Sequence, residues 1–192
     1  MTFNKINGDA AMINSLKKSL KLTVSDIAVI GIMVATLEGG KLALSFLPNV
    51  EIVTLLIILY TLCFGPKVVY AIITFICIET FLYGFNLWVI MYLYVWPLLA
   101  FITYLCRKKT GTLFWSFLSA FFGLFFGAFC AIPYIFTSGP AGAFAWWISG
   151  IPFDVLHCIS NFVLALVLFH PLHSTLNRLY GKISGGQLYS DN

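Results

Sequence analysis

The sequence predicts an all-α integral membrane protein, a bundle of six transmembrane helices with both termini cytoplasmic. Three observations predict it. First, 60% of the residues are apolar and only 9% are charged, against about 25% charge in a soluble domain. Second, six apolar runs follow one another between Pro- and Gly-containing breakers. Third, Lys and Arg fall almost wholly on one side of those runs.

Residues 1–24 read as a polar cytoplasmic tail with a short amphipathic turn around 12–22. Asp9, Asn14 and Lys5, Lys17, Lys18 and Lys21 interrupt it, so no apolar core precedes a small-residue cleavage site and no cleavable signal peptide is expected. The membrane domain is expected over 25–172, with runs near 25–46, 50–64, 67–85, 88–106, 112–136 and 145–170. A bilayer core about 30 Å thick needs roughly 20 helical residues, so the second run is short. Its helix is expected to be tilted, broken or extended. The boundaries fall at Leu47-Pro48-Asn49, Gly65-Pro66-Lys67, Gly84-Phe85-Asn86, Lys109-Thr110-Gly111 and Ser138-Gly139-Pro140. Pro97, Pro133 and Pro152 lie inside runs, where proline kinks a helix or starts one. Pro152 follows Ser149-Gly150, so the last regular helix is expected to begin there, with 145–150 capping it as a loop or short helix. Residues 173–192 read as a second cytoplasmic tail.

Orientation follows from the basic residues. Six crossings put both termini on one side. That side then carries Lys5, Lys17, Lys18, Lys21, Lys67, Arg107, Lys108, Lys109, Arg178 and Lys182, and the other carries only Lys41. Asp26 sits at the cytoplasmic start of the first helix, where a carboxylate suits the helix dipole. The cysteines, Cys63, Cys77, Cys106, Cys130 and Cys158, are odd in number, scattered and without a CxxC, and read as small buried hydrophobes.

The stretch Gly150–Asn161, GIPFDVLHCISN, carries the strongest polar signal. Asp154, His157 and Asn161 are spaced i, i+3, i+7 and share one helical face, opposite Val155, Ile159 and Phe162. Polar groups in a membrane helix face a protein interior or a wet cavity. The outer half of the bundle gathers most of the other polar candidates. Glu38 and Lys41 end the first run, and Asn49 and Glu51 occupy the first outer loop. Glu79 and Tyr83 end the third run, Asn86 and Trp88 form the next outer turn, and Tyr92 and Trp96 follow down the fourth. Tyr134, Trp146 and Trp147 flank the last outer loop. Rings supply stacking area and polar groups fix orientation, the make-up of a ligand site. The candidate substrate-binding residues are Glu38, Lys41, Asn49, Glu51, Glu79, Tyr83, Asn86, Trp88, Tyr92, Trp146, Trp147, Asp154, His157 and Asn161. Each has an alternative role: interface belt for the Trp and Tyr residues, helix-to-helix hydrogen bonding for Glu79, Asn161 and the Asp154–His157 pair, and snorkelling or pairing with Glu38 for Lys41.

Gly31, Ala35 and Gly39 recur every four residues on the first helix and make a flat groove for another helix, inside this bundle or outside it. Gly123 and Gly127 form a second such pair, for which internal packing is the expectation.

Several chemistries are excluded. Gly40-Lys41 fails the phosphate-loop pattern, because Ala35 and Leu42 stand where Gly and Ser or Thr are required. There is thus no nucleotide-hydrolysing motif. His157, His170 and His173 lack metal-site spacing, and no cofactor is implied. Ser149-Gly150 with His157 lacks the Gly expected at 147, which weighs against a serine protease. The basic residues follow the membrane rule, so nucleic acid is not a partner.

Six spans, an outward aromatic pocket, Gly31-x-x-x-Ala35 and the GIPFDVLHCISNF entry together resemble the substrate-binding S components of energy-coupling factor (ECF) vitamin transporters, over about residues 25–180. That family's Ala-x-x-x-Ala groove is matched here with Gly31 in place of the first Ala. The resemblance implies capture of a vitamin or related micronutrient from the extracellular side. It also implies delivery through a transmembrane T component docked on Gly31, Ala35 and Gly39, with two cytoplasmic ATPases supplying the energy. A stand-alone carrier or a scaffold subunit of another membrane complex is the alternative.

Overall fold

A computed structural model describes residues 22–183 of the 192-residue chain. The turn expected around 12–22 lies almost wholly outside the described residues, as do most of the N-terminal tail and the last residues, 184–192, of the C-terminal one; 173–183, expected as tail, continue the last helix. The helices are α1 Val24–Ala43, α2 Val53–Phe64, α3 Val68–Tyr83, α4 Leu87–Leu105, α5 Thr112–Cys130 and α6 Ile132–Ile183, with a 3-10 turn Gly65–Lys67 between α2 and α3. No strand occurs among the described residues.

The helix ends fall where the sequence carries its breakers. Each of the five holds one residue with positive φ: Asn49 at 56°, Gly65 at 60°, Gly84 at 80°, Gly111 at 107° and Gly139 at 75°. At Gly65 this conformation ends α2 and lets the chain reverse into α3. At Gly139 it breaks α6 into a short leading stretch, 132–138, and a long helix opened by Pro140. Proline suits that first position because its missing N–H would have no intrahelical acceptor. Thr23 and Asp26 close α1 reciprocally, the Thr23 hydroxyl accepting from the Asp26 N–H (3.2 Å) and the Asp26 carboxylate from the Thr23 N–H (2.8 Å).

Contacts fix the direction of each helix. Gly40 of α1 lies against Ile52, ahead of α2, while Thr36 bonds Tyr60 further along α2, so α1 and α2 are antiparallel. Lys67 meets Asp26 (2.7 Å) and Lys41 meets Glu79, so α3 runs parallel to α1. Tyr94 of α4 donates to the Phe129 carbonyl of α5 (2.6 Å), and Trp96 packs on Phe126. Down the α5–α6 seam, Gly127 meets Asp154, Ser119 meets Asn161 and Trp115 stacks on Phe169, which makes these two antiparallel. The short α2 is the axis of the bundle: ten of its twelve residues are buried. It packs against α4 and α6 most closely. At 1.5 Å per residue its 12 residues reach only about 18 Å.

The exterior is apolar. Phe81, Phe85, Phe136, Ile32 and Val167 are all well exposed, a surface that a water-soluble chain does not present over its whole girth. Four stretches are long and apolar enough to cross a membrane: Val53–Tyr83, Leu87–Leu105, Thr112–Cys130 and Ile132–Gly181. The first of these turns back at Gly65. α1 has the length but carries three charges, Asp26, Glu38 and Lys41.

Two sequence expectations are corrected. Residues 145–150 form neither a loop nor a separate cap, and Pro152 does not start a helix; both lie within continuous helix that begins at 140 and continues to Ile183. Proline inside a helix removes one N–H bond, and packing along α5 holds the helix across it. The fifth run, expected to reach 136, ends as α5 at Cys130, and Pro133 lies in the first turn of α6.

Candidate functional site

One polar and aromatic cluster sits at the end of the bundle where α1 and α3 finish and α2 and α4 begin. Lys41, in the last turn of α1, forms an ion pair with Glu79 of α3. Its ammonium also lies 5.0 Å from the ring centre of Tyr83, 6.0 Å from Trp88 and 5.9 Å from Tyr92. These are cation–π distances, worth about 0.5–2 kcal/mol each depending on desolvation. Glu38 stands one turn before Lys41 on the same helix, so two carboxylates compete for one ammonium.

A second corner forms where α2 begins beside α6. His157 Nε2 lies 3.0 Å from Glu51 Oε1. Glu51 also accepts from the Thr54 N–H (2.8 Å) and the Thr54 hydroxyl, which ties it to the first turn of α2. Rings join the two corners. Trp88 meets Tyr92 at 5.2 Å, Tyr92 meets Trp96 at 5.4 Å, Trp96 meets Phe126 at 5.5 Å, and Phe126 meets the His157 ring at 5.1 Å.

The polar stripe of α6 faces inward as its spacing predicts. Asp154, His157 and Asn161 are buried, while Val155 and Ile159 are exposed. The stripe lies over the Gly123–Gly127 groove of α5. Asp154 Oδ1 accepts from the Gly127 N–H at 3.0 Å, and Asn161 Nδ2 reaches the Ser119 carbonyl at 3.5 Å. A Cβ on Gly127 would stand 2.4 Å from Asp154 Oδ2, and one on Gly123 would stand 3.0 Å from Asn161 Nδ2. The second small-residue pair is therefore internal packing.

Three buried polar atoms in this half of the bundle lack a hydrogen-bond partner, Glu38 Oε1, Glu79 Oε1 and Trp96 Nε1, while the Trp147 indole N–H is directed at the Asp154 carboxylate. Each unsatisfied group costs about 1–3 kcal/mol, and native proteins keep few of them. Two are carboxylate oxygens and one is an indole donor. A polar ligand with both donors and acceptors would satisfy them.

Not every candidate joins the cluster. Asn49 is exposed and supplies the turn before α2, its carbonyl accepting from the Ser160 hydroxyl (3.0 Å). Asn86 caps α4 through the Trp88 N–H (3.3 Å). Trp146 stacks on Tyr134 of the leading stretch of α6 at 4.7 Å. Gly31, Ala35 and Gly39 are exposed, and a Cβ at either glycine would meet nothing within 4 Å. Their stripe is thus unpartnered within the described residues. Trp96, named with the outer-half rings, Gly127, named only as a packing residue, and Phe126, not named at all, enter the site without having been among the proposed substrate-binding residues. Trp96 had a signal, lying one turn beyond Tyr92 and two beyond Trp88; Phe126 is one phenylalanine among many on α5 and had none.

Fold and exterior together define a helical membrane-inserted protein. Comparison of the chain with protein-family models, with curated proteins and with solved structures finds no match.

Proposed function

We propose that this chain is the substrate-capture subunit of an ATP-driven importer of the ECF type. It crosses the cell membrane six times with both termini cytoplasmic. It binds a vitamin or related micronutrient from outside, then delivers it with a T component and two ATPases. The observation that carries the reading is the set of three orphaned polar atoms, Glu38 Oε1, Glu79 Oε1 and Trp96 Nε1, in the half of the bundle that holds the caged Lys41. A chain that used these groups only for helix packing would pair them. The charged and aromatic make-up suits a small planar heterocycle with polar handles. The open Gly31–Ala35–Gly39 stripe supports a partner helix on α1.

Tryptophan fluorescence tests the site, because Trp88, Trp96 and Trp147 belong to it or border it. Titration of the purified chain with a panel of vitamins and their precursors is expected to give saturable quenching by one compound at nanomolar to low micromolar concentration. Asp154→Ala and Trp147→Ala are each expected to weaken that binding at least tenfold. Unchanged affinity in both variants would refute this pocket.

A further inference from the structure

The opposite end of the bundle holds a cavity of about 390 Å³, lined by Arg107, Lys108, Lys109, His170 and His173, with Leu62, Trp115 and Phe169 as its apolar members. Residues Thr110, Gly111 and Thr112 complete it. None of these lining residues is acidic. Its construction is specific. After α4 the chain folds back on itself, the Lys109 N–H donating to the Cys106 carbonyl at 2.8 Å. That turn sets the three basic residues along one wall. The Arg107 guanidinium lies 4.2 Å from the Tyr104 ring centre, which restricts it. Beneath, Phe169 stacks between Trp115 (6.1 Å, 14° between planes) and His173 (5.3 Å, 12°), so one imidazole is held in register with two hydrocarbon rings. α5 starts at this cavity from Gly111 with no side-chain cap, which adds the positive end of a helix dipole.

Topology alone asks only for positive charge near a headgroup layer. It does not ask for a concave wall, two imidazoles or a stack of rings. We propose that this cavity binds a phosphate-bearing anion, either the headgroup of an acidic phospholipid or a soluble phosphate ester. Lys108 and Lys109 supply donors to the phosphate oxygens, and Arg107, held on the Tyr104 ring and carbonyl, adds charge. The histidine rings lining the cavity offer further N–H donors. Leu62, Trp115 and Phe169 accommodate the glycerol and first methylenes of a lipid. The site is independent of whatever the other end of the bundle binds.

The test is the unfolding temperature of the full chain in uncharged detergent, titrated with phosphatidylglycerol, phosphatidylcholine or pyrophosphate. Phosphatidylglycerol is expected to raise it saturably and phosphatidylcholine to leave it unchanged. Lys108→Ala/Lys109→Ala, at exposed positions that leave the fold intact, is expected to raise the half-saturating concentration at least fivefold, and His170→Ala about twofold to threefold. Arg178→Ala, an exposed basic residue outside the cavity, is expected to have no effect. Stabilisation by pyrophosphate that competes with the lipid marks the phosphate as the recognised group. Stabilisation by pyrophosphate alone identifies a soluble ester as the ligand. Stabilisation by neither compound overturns the site. So does equal weakening by Arg178→Ala, which would mean diffuse surface attraction.

Discussion

At the scale of single residues, the ion pair between Lys41 and Glu79 has two separable roles. Glu79 is 1% exposed and Lys41 32% at the side chain. Breaking a buried pair from one side leaves a charge without compensation and costs about 3–5 kcal/mol, whereas replacing both partners by apolar groups of similar size is often neutral. Lys41→Met is therefore expected to destabilise the protein toward the lower end of that range, since Lys41 is partly exposed. Lys41→Met/Glu79→Leu is expected to recover most of the loss. Ligand binding should fail in both variants. Unfolding temperatures and the fluorescence titration, run on the same three proteins, separate the roles. Recovery of binding in the double variant would make the pair structural only. Gly127 gives a complementary test. Its missing Cβ leaves room for the Asp154 carboxylate, so Gly127→Ala is expected to cost about 1–3 kcal/mol by overpacking. Gly31→Ala, in open space, should change the unfolding free energy by under about 0.5 kcal/mol.

At the scale of elements, the sequence was most informative where local chemistry alone decides. The five breakers became the five positive-φ residues because Gly and Asn tolerate that region whatever packs around them. The inward face of α6 was legible because a 3.6-residue period fixes which side chains align. Pro152 misled because its effect depends on neighbours: α5 holds α6 helical across it. The pairing of Glu51 with His157 had no local signal, since 106 residues separate them and only the packing of α2 against α6 brings them together. Small-residue stripes are ambiguous for the same reason. Gly31-x-x-x-Ala35 and Gly123-x-x-x-Gly127 look alike as text, yet one is open and the other is filled by α6. The open stripe makes a separable prediction. Gly31→Leu or Ala35→Leu should abolish co-purification with a T component and two ATPases, because a branched side chain there blocks close helix approach. Ligand affinity should be unchanged, because neither residue reaches the Lys41 or His157 corner. Retained co-purification would exclude this stripe as the docking face.

At the scale of the whole molecule, the two ends of the bundle differ in chemistry. One end gathers Lys67 and the run Arg107–Lys109 with His170 and His173 of α6. The other holds Glu38 and Glu79 at Lys41, and Glu51 and Asp154 on the α6 side, with Lys41 the one lysine there among the described residues. The alternating directions of the helices put the Gly139 break and the 107–111 turn at opposite ends. If positive charge sets orientation, the Gly139 end faces outward and the 107–111 end faces the cytoplasm. Thiol labelling in intact cells tests this with one residue at each end, in a background where the five native cysteines are replaced by serine or alanine. Ser138 and Lys109 are both exposed, so either accepts cysteine without disturbing the core. Ser138→Cys is expected to react with a membrane-impermeant maleimide in intact cells. Lys109→Cys is expected to react only after permeabilisation. The reverse pattern would turn the acidic, aromatic end toward the cytoplasm, and capture from outside would be untenable even if a ligand bound tightly. Labelling of both positions in intact cells would mean that the two ends share a side. The number of crossings between them would then be even, whereas six crossings require the single passage of α5 there, so the proposed six crossings would fall.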